Sequence, residues 1–169
     1  MKTKFIFLVS ALFGYFSTQA QSVFDKFEDN SEVTTVVVSQ KMFQMLSKID
    51  SKDPEAKEFM DVANRLTGLK IFTTSNKSVG QKMSDEVKKY LSTASLSELM
   101  RVKDKDSNVK FYVKQGRDAD HVSELLMFIV DSSDSQTVLL TLTGDIDLNK
   151  IGALTGNMNL PEEFKSIKK

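Results

Sequence analysis

The 169-residue chain contains no cysteine and no tryptophan, one histidine, two prolines and seven glycines. Without cysteine there is no disulfide framework, no zinc–thiolate site and no thiol nucleophile. The fold must therefore rest on its apolar core. A single histidine excludes a two-histidine metal site within one chain. The glycines are scattered, and neither G-x-G-x-x-G nor a P-loop occurs, so no glycine-rich phosphate cradle is present. Neither sign of charge dominates: 23 basic residues face 23 acidic ones, which leaves no basic excess to draw nucleic acid or anionic lipid. Long apolar runs are also missing. Beyond the N-terminus the longest is Leu125–Val130, far below the roughly 20 residues of a membrane-spanning helix.

What is present begins with Met1–Ala20. Lys2 and Lys4 precede the apolar run Phe5–Phe16, and the polar segment Ser17-Thr18-Gln19-Ala20 follows. That is the layout of a secretory signal peptide with cleavage expected after Ala20. No cysteine follows the run, so lipid attachment at a new N-terminal cysteine is impossible. The sequence thus predicts an exported, periplasmic or secreted chain starting at Gln21, with no transmembrane segment in its mature form. Removal of 20 of the 169 residues leaves 149, a usual size for one domain, 21–169. Loss of Lys2 and Lys4 moves the net charge to near −2.

Gln21–Glu32 is polar apart from Val23, Phe24 and Phe27, and reads as a short lead-in. Val33–Ser39 is β-branched almost throughout and predicts a strand. Across Lys41–Ile49 the period changes: Met42, Leu46 and Ile49 fall at i, i+4, i+7, with Phe43 and Met45 beside them, which predicts an amphipathic helix. Asp53-Pro54-Glu55 opens a second helix, with proline at its first position and an acid in its first turn. Gly68 stands where its C-terminal cap is wanted. Leu69–Thr74 alternates as a strand. Val79, Met83, Val87, Tyr90 and Leu91 then form one stripe of a third helix.

From Leu96 the period is two. Strands are expected around Met100–Val102 and Val109–Val113, joined by the turn Lys105–Asn108. His121–Val130 ends in Leu-Leu-Met-Phe-Ile-Val, a central strand covered on both faces. Gln136–Thr143 alternates as the last strand, ended by Gly144 and Asp145. Asp147 caps a short helix, Leu148–Leu154. The order is β-α-α-β-α-β-β-β-β-α, which predicts an α+β fold: one mostly antiparallel sheet of about six strands with helices packed mainly on one face.

Two stretches match D-x-D-x-N: Asp104, Asp106, Asn108 and Asp145, Asp147, Asn149. A calcium loop of the EF-hand type also needs glycine at its sixth position and glutamate at its twelfth. Val109 and Gln115 occupy those places in the first stretch, Lys150 and Gly156 in the second, so a hairpin turn and a helix cap explain them better. His121 has Asp118 and Asp120 beside it, and one histidine suffices for a Ser-His-Asp site. No serine lies in a G-x-S-x-G elbow, however. The mixed signs of Arg117-Asp118 and Arg101–Asp106 read as solvated surface. Leu160, Phe164 and Ile167 recur at i, i+4, i+7 with Pro161-Glu162-Glu163 as the helix start, which reads as a last helix packed onto the domain or, more sharply, as a docking helix for a partner or a membrane surface.

The strings Gly68-Leu-Lys-Ile-Phe-Thr-Thr, Leu99-Met-Arg-Val-Lys-Asp-Lys-Asp, Val109-Lys-Phe-Tyr-Val-Lys, Glu124-Leu-Leu-Met and Leu142-Thr-Gly-Asp-Ile-Asp-Leu resemble domain-of-unknown-function family number 4252. The resemblance covers nearly all of the mature chain. It implies a small exported or lipid-anchored protein of Gram-negative bacteria, with no activity or catalytic residues to carry over. It also implies an association with envelope signalling. Together these readings favour a non-enzymatic envelope module that binds a protein partner. The alternatives are a carrier of an apolar ligand in a cavity between sheet and helices, and a hydrolase built on His121 with Asp118, Asp120 and Asp145. No cofactor, metal or catalytic residue is assigned.

Overall fold

Residues 23–48 and 52–150 are described by a computed structural model, the side chain of residue 55 excepted. Six strands form one sheet: β1 (Thr34–Ser39), β2 (Leu66–Thr74), β3 (Ser97–Lys103), β4 (Ser107–Gln115), β5 (His121–Asp131) and β6 (Thr137–Asp147). The helices are α1 (Gln40–Leu46), α2 (Pro54–Ala63) and α3 (Lys77–Thr93), and 3-10 turns cover Asp25–Phe27 and Leu148–Lys150. The spatial order is β1-β2-β6-β5-β4-β3, and every neighbouring pair is antiparallel. Strands β3 to β6 form the expected meander. The closing strand β6 then returns beside β2.

The α+β class and the six-stranded sheet are as the sequence predicts. The helices do not share a face, however. Phe43 of α1 and Val62 and Ala63 of α2 cover one side of the sheet, over Leu125, Met127, Leu140 and Leu142. Val79, Met83 and Val87 of α3 cover the other, over Phe72, Leu126, Phe128 and Leu139. The reason lies in β5 and β6, where successive residues are apolar. Leu139 and Leu140 point to opposite faces, and each face must be shielded from water. Burying both stripes requires helices on both sides.

Three boundaries differ from expectation. Helix α2 starts at Pro54 as predicted, but it ends at Ala63, so Gly68 is not its cap. Gly68 lies inside β2, paired with Ser39 on one side and Thr143 on the other. Strand β6 runs through Gly144 and Asp145 to Asp147, and the Asp147 carboxylate accepts the Asn149 N–H at 2.9 Å. Residues 151–154 of the expected terminal helix lie outside the described residues, as do Ile49 and the docking candidates Leu160, Phe164 and Ile167.

The lead-in is the largest correction. Phe24 and Phe27 are buried in the core of the α3 face. Phe24 meets Tyr90 edge-on with ring centroids 5.2 Å apart, and Phe27 meets Phe72 at 6.3 Å. Between them, Asp25 and Glu28 hold Lys70 of β2 at 2.5 and 2.7 Å, and Lys26 reaches Glu86 of α3 at 2.7 Å.

Candidate functional site

One end of the sheet gathers the residues around His121. The loop 116–120 joins β4 to β5 and begins at Gly116, whose N–H donates to the His121 carbonyl at 3.0 Å. A Cβ at residue 116 would lie 2.6 Å from that oxygen, so only glycine fits. The loop thereby folds back and sets Asp118 against the ring. His121 Nδ1 lies 2.6 Å from Asp118 Oδ1, and that oxygen also accepts the Asp120 N–H at 3.0 Å. Arg117 Nη2 lies 2.5 Å from His121 Nε2, and Arg117 Nη1 lies 3.0 Å from Asp145 Oδ2. Asp120 enters only through its backbone; its carbonyl accepts the Leu148 N–H at 2.9 Å.

Asp118, His121 and Asp145 are therefore brought together, with Arg117 as the link. Their chemistry differs from that of a triad. Guanidinium is a donor only, so Nε2 accepts and Nδ1 carries the proton given to Asp118. In a Ser-His-Asp site, Nε2 faces the nucleophile. Here Arg117 fills that position. The nearby hydroxyl of Ser123 donates instead to the carbonyls of Lys114 and Gln115, at 3.4 and 3.1 Å. The hydrogen bond from His121 holds the Asp118 carboxyl below the usual carboxylate range. The four groups carry one net negative charge and fasten the β4–β5 loop to the end of β6.

The first D-x-D-x-N stretch is a hairpin turn, since β3 ends at Lys103 and β4 begins at Ser107. Asp145 and Asp147 border a recess with Asp61, Arg65 and Lys150, and it has no room for a water molecule. Among the described residues, no group of three or more His, Asp or Glu side chains is placed to hold a metal ion.

A buried carboxylate was not anticipated. Glu124 is 8 % exposed, under α3, and the Tyr90 hydroxyl reaches its two oxygens at 3.1 and 2.9 Å. Sequence parity could have found it, since residue 124 shares a face with Leu126 and Phe128. Burial pushes the Glu124 carboxyl up, against the lowering effects of Tyr90 and Lys114. Burial, then the Glu124 contact, raises the Tyr90 phenol as well. A carboxyl raised in the folded state binds its proton more tightly there than in the unfolded chain. The folded state is thus favoured below the ordinary glutamate value of 4.5, and that advantage is lost as pH rises through the raised value. Glu124→Gln keeps an acceptor for Tyr90 and has no charge to bury. Urea midpoints should show the parent losing ground to E124Q as pH rises from 4 upward. Parallel profiles would rule the Glu124 ionisation out as their cause.

Two surface features remain. At the opposite end of the sheet, a cleft of about 310 Å³ opens between Ser84 of α3 and the β3–β4 hairpin, over Phe128 and Val130. On the far edge, β1 is hydrogen-bonded among the described residues on one side only, to β2. Val36 and Val37 of β1 are 45 % and 51 % exposed, and Met42 and Met45 of the adjoining α1 are 46 % and 60 % exposed.

A family model described as Domain of unknown function (DUF4252) matches residues 27–154. No curated protein and no solved structure matches the chain.

Proposed function

Because the chain belongs to the DUF4252 family of domains of unknown function, we propose its role from its own surface: an exported, non-enzymatic module of the cell envelope that binds a protein partner along the open edge of β1. The carrying observation is the chemistry of that edge. Thr34-Thr35-Val36-Val37-Val38-Ser39 has no charge and no proline, and its pairing with β2 has no bulge. Open edges of this kind are normally blunted by charge, proline or a bulge, because they template pairing with another strand. The other edge of this sheet is blunted in that way: β3 carries Glu98, Arg101 and Lys103 and shifts register between Glu98 and Met100. An extended partner segment would add main-chain hydrogen bonds to β1, while Met42 and Met45 supply an adaptable apolar contact. The leader Met1–Ala20 supports export, with the working chain starting at Gln21.

The test is affinity capture from envelope extracts with parent and Val37→Lys proteins in parallel. Val37 is half exposed, so the variant should melt with the parent while losing at least about tenfold in partner retention. The bait recovered from the envelope should begin at Gln21. A partner retained equally by V37K, or no specific partner at all, would overturn the proposal. The carrier reading has a narrower basis in the cleft beside α3, whose lining is charged as well as apolar.

A further inference from the structure

We infer that the cleft at the β3–β4 hairpin is a binding site for a small amphipathic monoanion, an acidic head on a short apolar body. The strand register builds it. Lys110 of β4 stands opposite Phe128 of β5, and Asn108 stands opposite Val130. On the other side Asn108 pairs with Lys103 and Lys110 pairs with Arg101 of β3. One sheet face thus presents an apolar floor, Phe128 and Val130, bordered by the ammonium groups of Lys103 and Lys110. Lys105 of the turn adds a third.

The rim carries an excess of positive charge. Among the described residues, Lys103, Lys105 and Lys110 form no ion pair, whereas their neighbour Arg101 is held by Glu98 at 2.5 Å. Arg101 directly opposite Lys110 is a like-charge cross-strand pair that the Glu98 carboxylate offsets. Asp104 and Asp106 on the same rim leave it one positive charge in excess. Asp104 is also occupied, accepting the Lys105 N–H at 2.6 Å. An anion seated among the three lysines offsets that excess. Lysines act here as point charges, which suits a single carboxylate as readily as other small anions. The apolar floor selects among such anions for one with a hydrocarbon body.

Size limits the ligand further. At roughly 30 Å³ per water, the cleft of about 310 Å³ holds about ten waters. An eight-carbon carboxylate has a comparable number of non-hydrogen atoms. The site lies at the opposite end of the sheet from His121 and on the opposite edge from β1, so it stands or falls separately from the partner-binding role.

The test titrates the full chain, cleaved as exported, with sodium octanoate, 1-octanol and inorganic phosphate, and reads backbone amide shifts. Octanoate should give saturable shifts over Lys103–Lys110, Phe128 and Val130. Octanol and phosphate should bind at least about tenfold more weakly, one lacking the charge and the other the body. Lys103→Gln and Lys110→Gln should each weaken octanoate about three- to tenfold, with melting temperatures unchanged. Equal affinity for octanol would overturn the anion, and equal affinity for phosphate would overturn the amphipathic body. Shifts confined to Val36–Met45, or none that saturate, would overturn the site.

Discussion

Replacing Phe24 and Phe27 together by alanine should remove roughly 6 kcal/mol of stability, enough to unfold much of the population at room temperature. The figure takes the low end of about 3–5 kcal/mol per buried Phe→Ala change, because a short turn at a chain end can partly collapse into the space. Folded domains have only about 5–15 kcal/mol in total. Both rings lie in the core under α3, at 1 % and 4 % exposure. Each also makes an edge-to-face contact, with Tyr90 and Phe72 respectively. Losing them would release the turn that sets Asp25 and Glu28 on Lys70. Urea unfolding of both single variants and the double is the measurement. A double variant within about 1 kcal/mol of the parent would mean that these rings do not belong to the core. Because both rings anchor one turn, the two single costs should sum to more than the double.

A second large effect is expected at Gly144. Its φ is +143°, a conformation that side chains rarely adopt. A Cβ there would lie 2.4 Å from the Arg65 carbonyl oxygen and 2.7 Å from Leu66 Cα. Both are backbone atoms, so no rotamer change relieves the overlap. The same carbonyl accepts the Asp145 N–H at 3.0 Å, and Leu66 pairs with Gly144 in the register of β2 and β6. Gly144→Val should therefore cost roughly 4 kcal/mol or more, combining backbone strain with a displaced central strand pair. Gly68→Ala is the control. Its Cβ would lie 3.2 Å from Thr143 Oγ1, a side-chain atom that can turn away. If thermal melts place G144V beside G68A, the strain argument is wrong.

Periodicity made most of the architecture legible. The alternation of Val109, Phe111 and Val113, and the stripe Val79, Met83, Val87, gave β4 and α3 close to their observed limits. The two-sided burial of α1, α2 and α3 was also written in the sequence, in the adjacency of Leu139 with Leu140 and of Leu125 with Leu126. The run ending at Val130 accordingly reads as covered on both faces, yet the helices were expected mainly on one, because the side on which a helix crosses depends on the whole topology. Phe24 and Phe27 carry no period of their own; their partners Tyr90 and Phe72 are distant in sequence. Gly68 was misplaced because a glycine after a helical pattern resembles a cap, while its strand pairing is non-local. At the site, Asp118 and His121 were found by proximity. The position of Arg117 across Nε2, and so the difference from a triad, depends on how the loop folds back from Gly116.

The strand order has a kinetic side. The pair β1–β2 and the meander β3–β6 are each closed by local chain, but the sheet becomes one object only when β6 pairs with β2. Their partners, such as Phe72 and Leu139, lie far apart in sequence. Contacts at such separation must overcome loop-closure entropy before they stabilise anything, which places this topology among slower folders. Because β6 is also the last strand among the described residues, the emerging protein has no complete core until that strand is free. The two locally closed halves must therefore meet across β2 and β6 before either face of the sheet is fully covered.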